Sequence, residues 1–152
     1  MAPLRLTRSW DALDALAASS QAGPRAAAPR VEPAPLVGTW VSFDGATGGI
    51  VRVVVAARGG GLAVRAFGAG PPAPRDWGEV PGVPFAGGVD GTAAVAFTAS
   101  YDFGFLGTLL AAYLNRRLLV VDSYNVFRDG SGRSSYFARD HFYQPTESAS
   151  CS

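Results

Sequence analysis

From Leu36 to Tyr143 the sequence is a succession of short apolar runs that Gly-rich turns interrupt. The runs are rich in Val, Phe and Tyr, which favour strands, and no crossover helix is predicted between them. Parallel strands need crossovers, so the strands are expected to be antiparallel. The pattern predicts about seven or eight of them. Such a series favours an all-β up-and-down barrel, because closure removes exposed edges, and a two-sheet sandwich is the alternative.

Two stretches are less regular than the rest. Residues 69–88 contain five prolines, which argue against a long central strand. We expect a long loop there, with one short edge strand around Trp77–Val80. Residues 103–114 are compatible with helix or strand by composition, and their glycines and position between two strands favour a strand.

Residues 1–35 differ from the barrel region. Leu6, Trp10, Leu13 and Leu16 recur at three- and four-residue steps, which predicts an amphipathic N-terminal helix. A Pro/Ala linker follows. The helix is either a simple extension or a lid that docks on the barrel mouth or on a partner. The expected organisation is thus a helix and linker over 1–35, a barrel over 36–144 and a disordered tail over 145–152.

Charge and composition exclude several classes of function. The 13 basic residues are all Arg, and against 12 acidic residues they leave a net charge of +1. This balance gives no electrostatic footprint for nucleic acid or an anionic membrane. The single Cys151 excludes an intramolecular disulfide. Asp11 and Asp14 interrupt any secretion signal, and no run approaches a membrane span, so a soluble, cytoplasmic protein is expected.

The first predicted strand begins Gly38-Thr39-Trp40. A Gly-x-Trp on the first strand of an antiparallel meander resembles the calycin superfamily, which includes lipocalins, fatty-acid-binding proteins and avidins. Over residues 36–143 the resemblance implies a ligand-holding barrel whose floor is sealed by Trp40. It also implies a cation stacked on that ring, from Arg139 or secondarily Arg133. The disulfide of secreted lipocalins and the polar biotin-binding residues of avidins are missing, so only the fold is carried over.

The last predicted hairpin presents polar groups on both faces. Its turn is Asp129–Gly132, and centring on Gly130-Ser131 puts Asp122 opposite Arg139, whereas a shift of two residues puts Asp122 opposite His141. One face carries Tyr113, Asp122, Tyr124, Phe137, Arg139 and His141. The other carries Ser123, Asn125, Tyr136 and Asp140. The two faces are close in polarity, so either one is compatible with the lumen.

Both faces supply candidate functional residues. On the first, Asp122, Tyr124, Arg139 and His141 form either a charge-assisted network or a solvated cross-strand patch. On the second, burial would raise the pKa of Asp140 and suit it to general acid–base catalysis. The candidate catalytic residues are therefore Asp122, Tyr124, Arg139, His141 and Asp140. The candidate ligand-binding residues are Trp77, Tyr101, Tyr113, Tyr136, Phe137 and Arg65.

These features predict a barrel that encloses one small, largely apolar molecule. No His cluster or phosphate loop is present, so neither a metal nor a cofactor is expected. The favoured function is a cofactor-independent cyclase, isomerase or hydratase of bacterial secondary metabolism, because the hairpin offers more ionisable groups than binding needs. A non-catalytic carrier and an interaction module with a filled barrel are the alternatives. A homodimer is compatible with the sequence, and neither nucleic acid nor membrane is expected as a partner.

Overall fold

The computed structural model describes residues 30–146, which form a closed, antiparallel, eight-stranded barrel. The strands are β1 Gly38–Ser42, β2 Ile50–Arg58, β3 Gly61–Gly68, β4 Arg75–Ala86, β5 Ala94–Asp102, β6 Leu106–Asn115, β7 Leu118–Phe127 and β8 Tyr136–Tyr143. Each strand pairs with the next, and β8 pairs back with β1. The predicted up-and-down barrel is confirmed and the sandwich is excluded. The predicted N-terminal helix lies outside the described residues.

The prediction of a long loop for the proline-rich stretch is wrong. Instead of a loop with a short edge strand, β4 is the longest strand of the barrel and has a neighbour on each side. It pairs with β3 over residues 75–82 and with β5 over residues 82–86. Pro81 is therefore paired only towards β3 and Pro84 only towards β5. At each of these positions one side of β4 has no partner strand. A proline can stand there without the loss of a hydrogen bond between strands, because its missing N–H group would have pointed to the unpaired side.

The pleat of β7 and β8 decides which residues face the lumen. Val121, Ser123 and Asn125 are buried in the interior, as is Phe142 on β8. The alternate residues, including Tyr124, Arg139 and His141, are exposed on the outer wall. Of the two registers that the sequence left open, the structure has the first, with Asp122 opposite Arg139 and Tyr124 opposite Phe137. The barrel interior is therefore lined by the second of the two predicted faces.

One end of the barrel is closed by the segment that precedes β1. A 3-10 turn, Ala34–Leu36, places the fully buried Leu36 side chain in the core. The Trp40 indole N–H donates to the Leu36 carbonyl oxygen at 2.9 Å, which ties the turn to β1. Glu32 forms a bridge with Ala93 beside the turn. We call this the closed end.

The cation that was expected over Trp40 lies elsewhere. The guanidinium of Arg139 lies on the outer wall over Phe137, and that of Arg133 lies over Phe127. Both expectations for a stacked cation at the floor are therefore wrong. The reason is the parity of β8, which turns Arg139 away from the lumen. Packing of Trp40 against Leu36 closes this end instead.

The barrel interior has an apolar half next to the closed end and a polar half at the opposite end. Large apolar side chains fill the region next to the closed end, and the largest that are fully buried are Phe97, Phe142, Leu36, Leu110 and Leu119. The opposite end is bordered by the loops 43–49, 69–74, 103–105 and 128–135. We call this end the mouth. Within residues 30–146, no helix combines the length and apolar character that crossing a membrane requires.

Candidate functional site

A cavity of about 240 Å³ enters the lumen at the mouth. We call it the mouth pocket. It is lined by Gly48, Gly49, Ile50, Gly68, Ala69, Arg75, Trp77, Ser123, Asn125, Tyr136, Ala138 and Asp140. Larger depressions of about 460 and 650 Å³ lie on the outer wall and at the closed end. The mouth pocket is the candidate site because it reaches the interior and because charged and aromatic groups converge in it.

An aromatic cluster forms one wall of the mouth pocket. The Trp77 ring makes edge-on contacts with Tyr101 and Phe103, at centroid distances of 5.4 and 5.3 Å. The indole also covers the backbone of Gly68, where a Cβ atom would lie 2.7 Å from its Nε1 atom. Only glycine leaves room for the ring at this position. Trp77 is thereby held in place from two sides and presents a preformed apolar surface.

The Tyr101 hydroxyl forms hydrogen bonds with the backbone. It accepts a hydrogen bond from the Ala66 N–H at 2.9 Å and lies 2.8 Å from the Gly78 carbonyl oxygen. Ala66 needs this partner because the β3–β4 register shifts between Arg65 and Phe67 and leaves it unpaired with β4. Burial raises the pKa of the Tyr101 phenol. Tyr101 therefore supports the wall behind Trp77, and its hydroxyl binds the backbone.

The floor of the mouth pocket is a polar layer. The Thr108 hydroxyl donates to the Asn125 side-chain carbonyl at 2.7 Å, and the Asn125 amide lies 3.4 Å from both the Ser123 hydroxyl and the Tyr136 carbonyl oxygen. Every buried side-chain polar atom in the described residues has a partner. The layer is therefore internally satisfied and separates the pocket from the apolar core.

Asp140 contributes the carboxyl group of the mouth pocket. The side chain is half-buried on β8, and a Cβ at Gly49 would lie 3.3 Å from its Oδ2 atom. Burial raises the pKa of Asp140, and the nearby Asp44 charge adds to this, while a hydrogen bond from Thr47 opposes it. Within residues 30–146, no cation forms an ion pair with Asp140.

Arg75 brings a positive charge to the same cavity. It begins β4 and its aliphatic part packs on Gly70, where a Cβ would lie 2.9 Å from the Arg75 Cγ atom. In the part of the chain that the structure describes, Arg75 has no ion-pair partner either. The mouth pocket therefore offers an uncompensated carboxylate, an uncompensated guanidinium and an indole face.

The other four candidate catalytic residues lie on the outer wall of the barrel, where Asp122 is buried and the other three are exposed. Asp122 and Arg139 do pair, through bonds of 2.6 and 3.0 Å, but on the outer wall. Tyr124 and His141 share that wall and do not reach the lumen. The charge-assisted pair that the sequence predicted is thus present at the surface, and only Asp140 of the five lines the mouth pocket.

The candidate ligand-binding residues divide in the same way. Trp77 and Tyr136 line the mouth pocket. Arg65 is exposed and holds Asp76 through two guanidinium nitrogens, which lowers the pKa of that carboxyl. Tyr113 and Phe137 are exposed on the outer wall, with 37% and 50% of their surface accessible.

Sequence reasoning missed Arg75 and the glycines that shape the pocket. Arg75 was assigned to a loop, and only its place at the start of β4 directs it to the mouth. Gly49 and Gly68 come together because the Ala69 N–H donates to the Gly49 carbonyl at 2.8 Å. No sequence signal pointed to the contact of Gly68 with Trp77, because that contact is diagonal across the ladder: Gly68 pairs with Arg75, two positions before Trp77.

Neither the models of known protein families, nor curated proteins, nor solved structures give a match to this chain. The closed eight-stranded barrel is consistent with a calycin-like fold, and the assignment therefore depends on the architecture alone. Among residues 30–146, no three His, Cys, Asp or Glu side chains converge as metal ligands would.

Proposed function

We propose that the protein binds one small molecule in the mouth pocket, as calycin-like barrels do. The observation that carries this proposal is the uncompensated Asp140 carboxylate beside the Trp77 ring in a preformed cavity. A half-buried carboxylate without a cationic partner is costly even with the hydrogen bond from Thr47, and a ligand that donates a further hydrogen bond removes part of that cost. The cavity of about 240 Å³ fits a molecule of one or two rings.

The charges of Asp140 and Arg75 indicate which functional groups the ligand has. A hydroxyl or amine would donate to Asp140, a carbonyl or carboxylate would accept from Arg75, and the apolar part would lie on Trp77. The largely apolar ligand expected from the sequence is thus narrowed to one with polar groups at two positions. Asn125 and Ser123 contribute shape, because their hydrogen bonds are already made within the barrel wall.

Binding is tested with tyramine, indole and 4-hydroxyphenylacetate as probes, by ligand-observed NMR on the full chain. We expect at least one phenol to bind to the wild type and to be lost in Asp140→Asn or Trp77→Leu. The matched control is Asp90→Asn, an exposed carboxyl in the loop at the opposite end of the barrel. Binding that survives Asp140→Asn but is lost in Asp122→Asn would move the site to the outer wall and overturn the proposal.

A catalytic role is the second candidate, and the raised pKa of Asp140 favours it. A carboxylate that is partly desolvated and unpaired is a stronger base than an exposed one. It would move a proton in a cofactor-independent isomerisation, cyclisation or hydration. This reaction class agrees with the enzyme predicted from the sequence, with Asp140 as the single acid–base group.

The base strength of Asp140 can be measured without knowing the natural substrate. In the Kemp elimination of 5-nitrobenzisoxazole, a base removes the ring C–H proton while the N–O bond breaks and a cyanophenolate leaves. We expect turnover that Asp140→Asn abolishes, that Asp90→Asn leaves unchanged and that rises with pH through the pKa of Asp140. Equal rates for wild type and Asp140→Asn would leave binding as the sole proposed function.

A further inference from the structure

The outer wall of β6, β7 and β8 carries a set of exposed apolar side chains around one ion pair. We call it the outer aromatic face, and it consists of Leu109, Tyr113, Asp122, Tyr124, Val126, Phe137 and Arg139. Tyr124, Val126 and Phe137 expose 46%, 48% and 50% of their surface. Tyr124 and Phe137 are direct cross-strand partners whose ring centroids are 5.3 Å apart. Contiguous apolar patches of this kind on a monomer mark interaction sites.

The centre of the outer aromatic face is already ordered. The Arg139 guanidinium is held by two hydrogen bonds to Asp122 and lies 5.5 Å from the centre of the Phe137 ring. Asp122 raises the pKa of Arg139, and the Tyr113 and Tyr124 phenols lie close enough to contribute. A fixed Arg among Tyr and Phe rings loses little side-chain entropy on association, and these residue types dominate the energy of protein interfaces.

The same wall also contains a concavity. A depression of about 460 Å³ lies between β5, β6 and β7 and is lined in part by Leu109, Tyr124 and Val126. The protruding Phe137 ring is next to it, because Phe137 pairs with Tyr124. A surface that carries both a recess and the ring to fill one can be complementary to itself, as a two-fold symmetric interface requires.

Charge indicates which partner this face fits. The three Arg residues on and around it are each neutralised by a carboxylate, in the pairs Arg139–Asp122, Arg128–Asp102 and Arg133–Asp129. The face therefore selects neither an acidic nor a basic partner and does not repel a copy of itself.

We propose that the outer aromatic face is a dimer interface between two copies of this chain. The mouth pocket opens at the end of the barrel and stays accessible in such a dimer. The proposal is independent of the proposed function, because none of the residues of the outer aromatic face lines the mouth pocket.

The test is the mass of the full chain in solution, measured by sedimentation velocity over a range of concentrations. We expect a species of twice the 15.7 kDa of one chain. Phe137→Ser with Tyr124→Ser should raise the dissociation constant about tenfold or more. The matched control is Phe85→Ser, whose ring is 47% exposed on β4, and it should leave the dissociation constant unchanged. Circular dichroism of each variant reports whether it folds.

A second measurement covers the case in which the double variant does not fold. In a Cys151→Ser background, chains with Phe137→Cys mixed with chains with Val126→Cys, a position that lines the recess, should form a disulfide-linked dimer on mild oxidation, while chains with Phe85→Cys should not. A chain that is monomeric throughout the concentration range overturns the proposal. A dimer that depends on Phe85 and not on Phe137 and Tyr124 also overturns it, since it places the interface on another wall.

Discussion

At the scale of single residues, the buried Tyr101 and the half-buried Asp140 carry opposite roles in this barrel. Tyr101 is used entirely for structure, because its hydroxyl fills the gap that the β3–β4 register shift opens at Ala66. Asp140 is not needed by the fold in this way, since no cation pairs with it in residues 30–146. A polar group that the fold does not use is the better candidate for a ligand.

Replacing Tyr101 with Phe should lower the free energy of unfolding by about 1–3 kcal/mol. The buried Ala66 N–H would lose its acceptor while the ring packing on Trp77 is kept. Urea unfolding measures the change. Tyr113→Phe is the control, because that phenol is exposed and makes no side-chain hydrogen bond in the described region. Equal stability of the two variants would show that Ala66 finds another partner.

Asp140→Asn should change how stability depends on pH. Burial raises the pKa of Asp140 in the folded state above its ordinary value of 3.8, so ionisation of this carboxyl opposes folding. The cost is absent below pH 3.8, grows as the pH rises to the folded-state pKa, and is fully present above it. The Asn variant should therefore equal the wild type at low pH and exceed it at neutral pH.

Urea unfolding of both proteins between acidic and neutral pH tests this prediction. Asp76→Asn should show the reverse behaviour, because Arg65 lowers the pKa of that carboxyl and its ionisation favours folding. The stability that Asp76 contributes is present above pH 3.8 and disappears as the pH falls through its folded-state pKa. Parallel pH curves for the wild type and Asp140→Asn would contradict the raised pKa.

At the scale of elements, the tight turns explain why the strands were predictable and where their backbone is strained. The β2–β3 turn has glycines at both positions of positive φ, Gly59 at 57° and Gly60 at 84°. The β6–β7 turn has the same signs of φ at Arg116 and Arg117, 50° and 71°, without glycine. A non-glycine residue in this conformation costs roughly 1–2 kcal/mol. The pairing of β6 with β7 on either side of the second turn keeps its two arginines in this strained conformation.

Replacing Arg116-Arg117 with Asn-Gly should therefore raise the free energy of unfolding by roughly 1–2 kcal/mol, since these residues adopt positive φ readily. Thermal unfolding of the variant measures the gain. The converse substitution in the matching turn, Gly60→Ala, should destabilise the barrel. No gain from Asn-Gly would show that the arginine side chains make compensating contacts at this turn.

The elements also show how far sequence reasoning reaches. The identity of most strands was predictable, and the register of the last hairpin was limited to two alternatives, because residue type and turn chemistry are local. The strand β4 was not, since the tolerance of Pro81 and Pro84 depends on which side of the strand is paired, and this depends on closure of the ring. The sequence also did not show which face of the last hairpin lines the lumen, because Asp122 on one face and Asp140 on the other give the two faces similar polarity. Arg75 and Asp140 line one cavity only after distant strands are brought together.

At the scale of the whole molecule, the barrel is closed in two ways. The strands form an unbroken ring, although β1 and β8 share only two paired positions, Val41 with Tyr143 and Ser42 with Phe142. The closed end is filled by Leu36, which lies outside every strand and is fully buried. Apolar packing at the closed end therefore supplements the shortest ladder of the ring.

Leu36→Ala should lower the free energy of unfolding by about 2–5 kcal/mol, because it leaves a cavity where the core meets the closed end. Guanidinium chloride unfolding, followed by far-UV circular dichroism, measures the change. The control is Val89→Ala, at a side chain that is 97% exposed in the loop at the same end, and it should have little effect. A small loss for Leu36→Ala would mean that the neighbouring chain refills the space.

The order of strands around the ring is the order along the chain, and the described segment both begins and ends at the closed end, where the Gln144 amide donates to the Val37 carbonyl at 3.0 Å. A ring of this kind has no obligatory first strand. A circularly permuted gene that joins residue 146 to residue 30 through a short linker, and opens the chain between Arg116 and Arg117, would keep every strand beside its present neighbours. The new termini would emerge at the closed end, which leaves the mouth free for fusion proteins that report ligand binding.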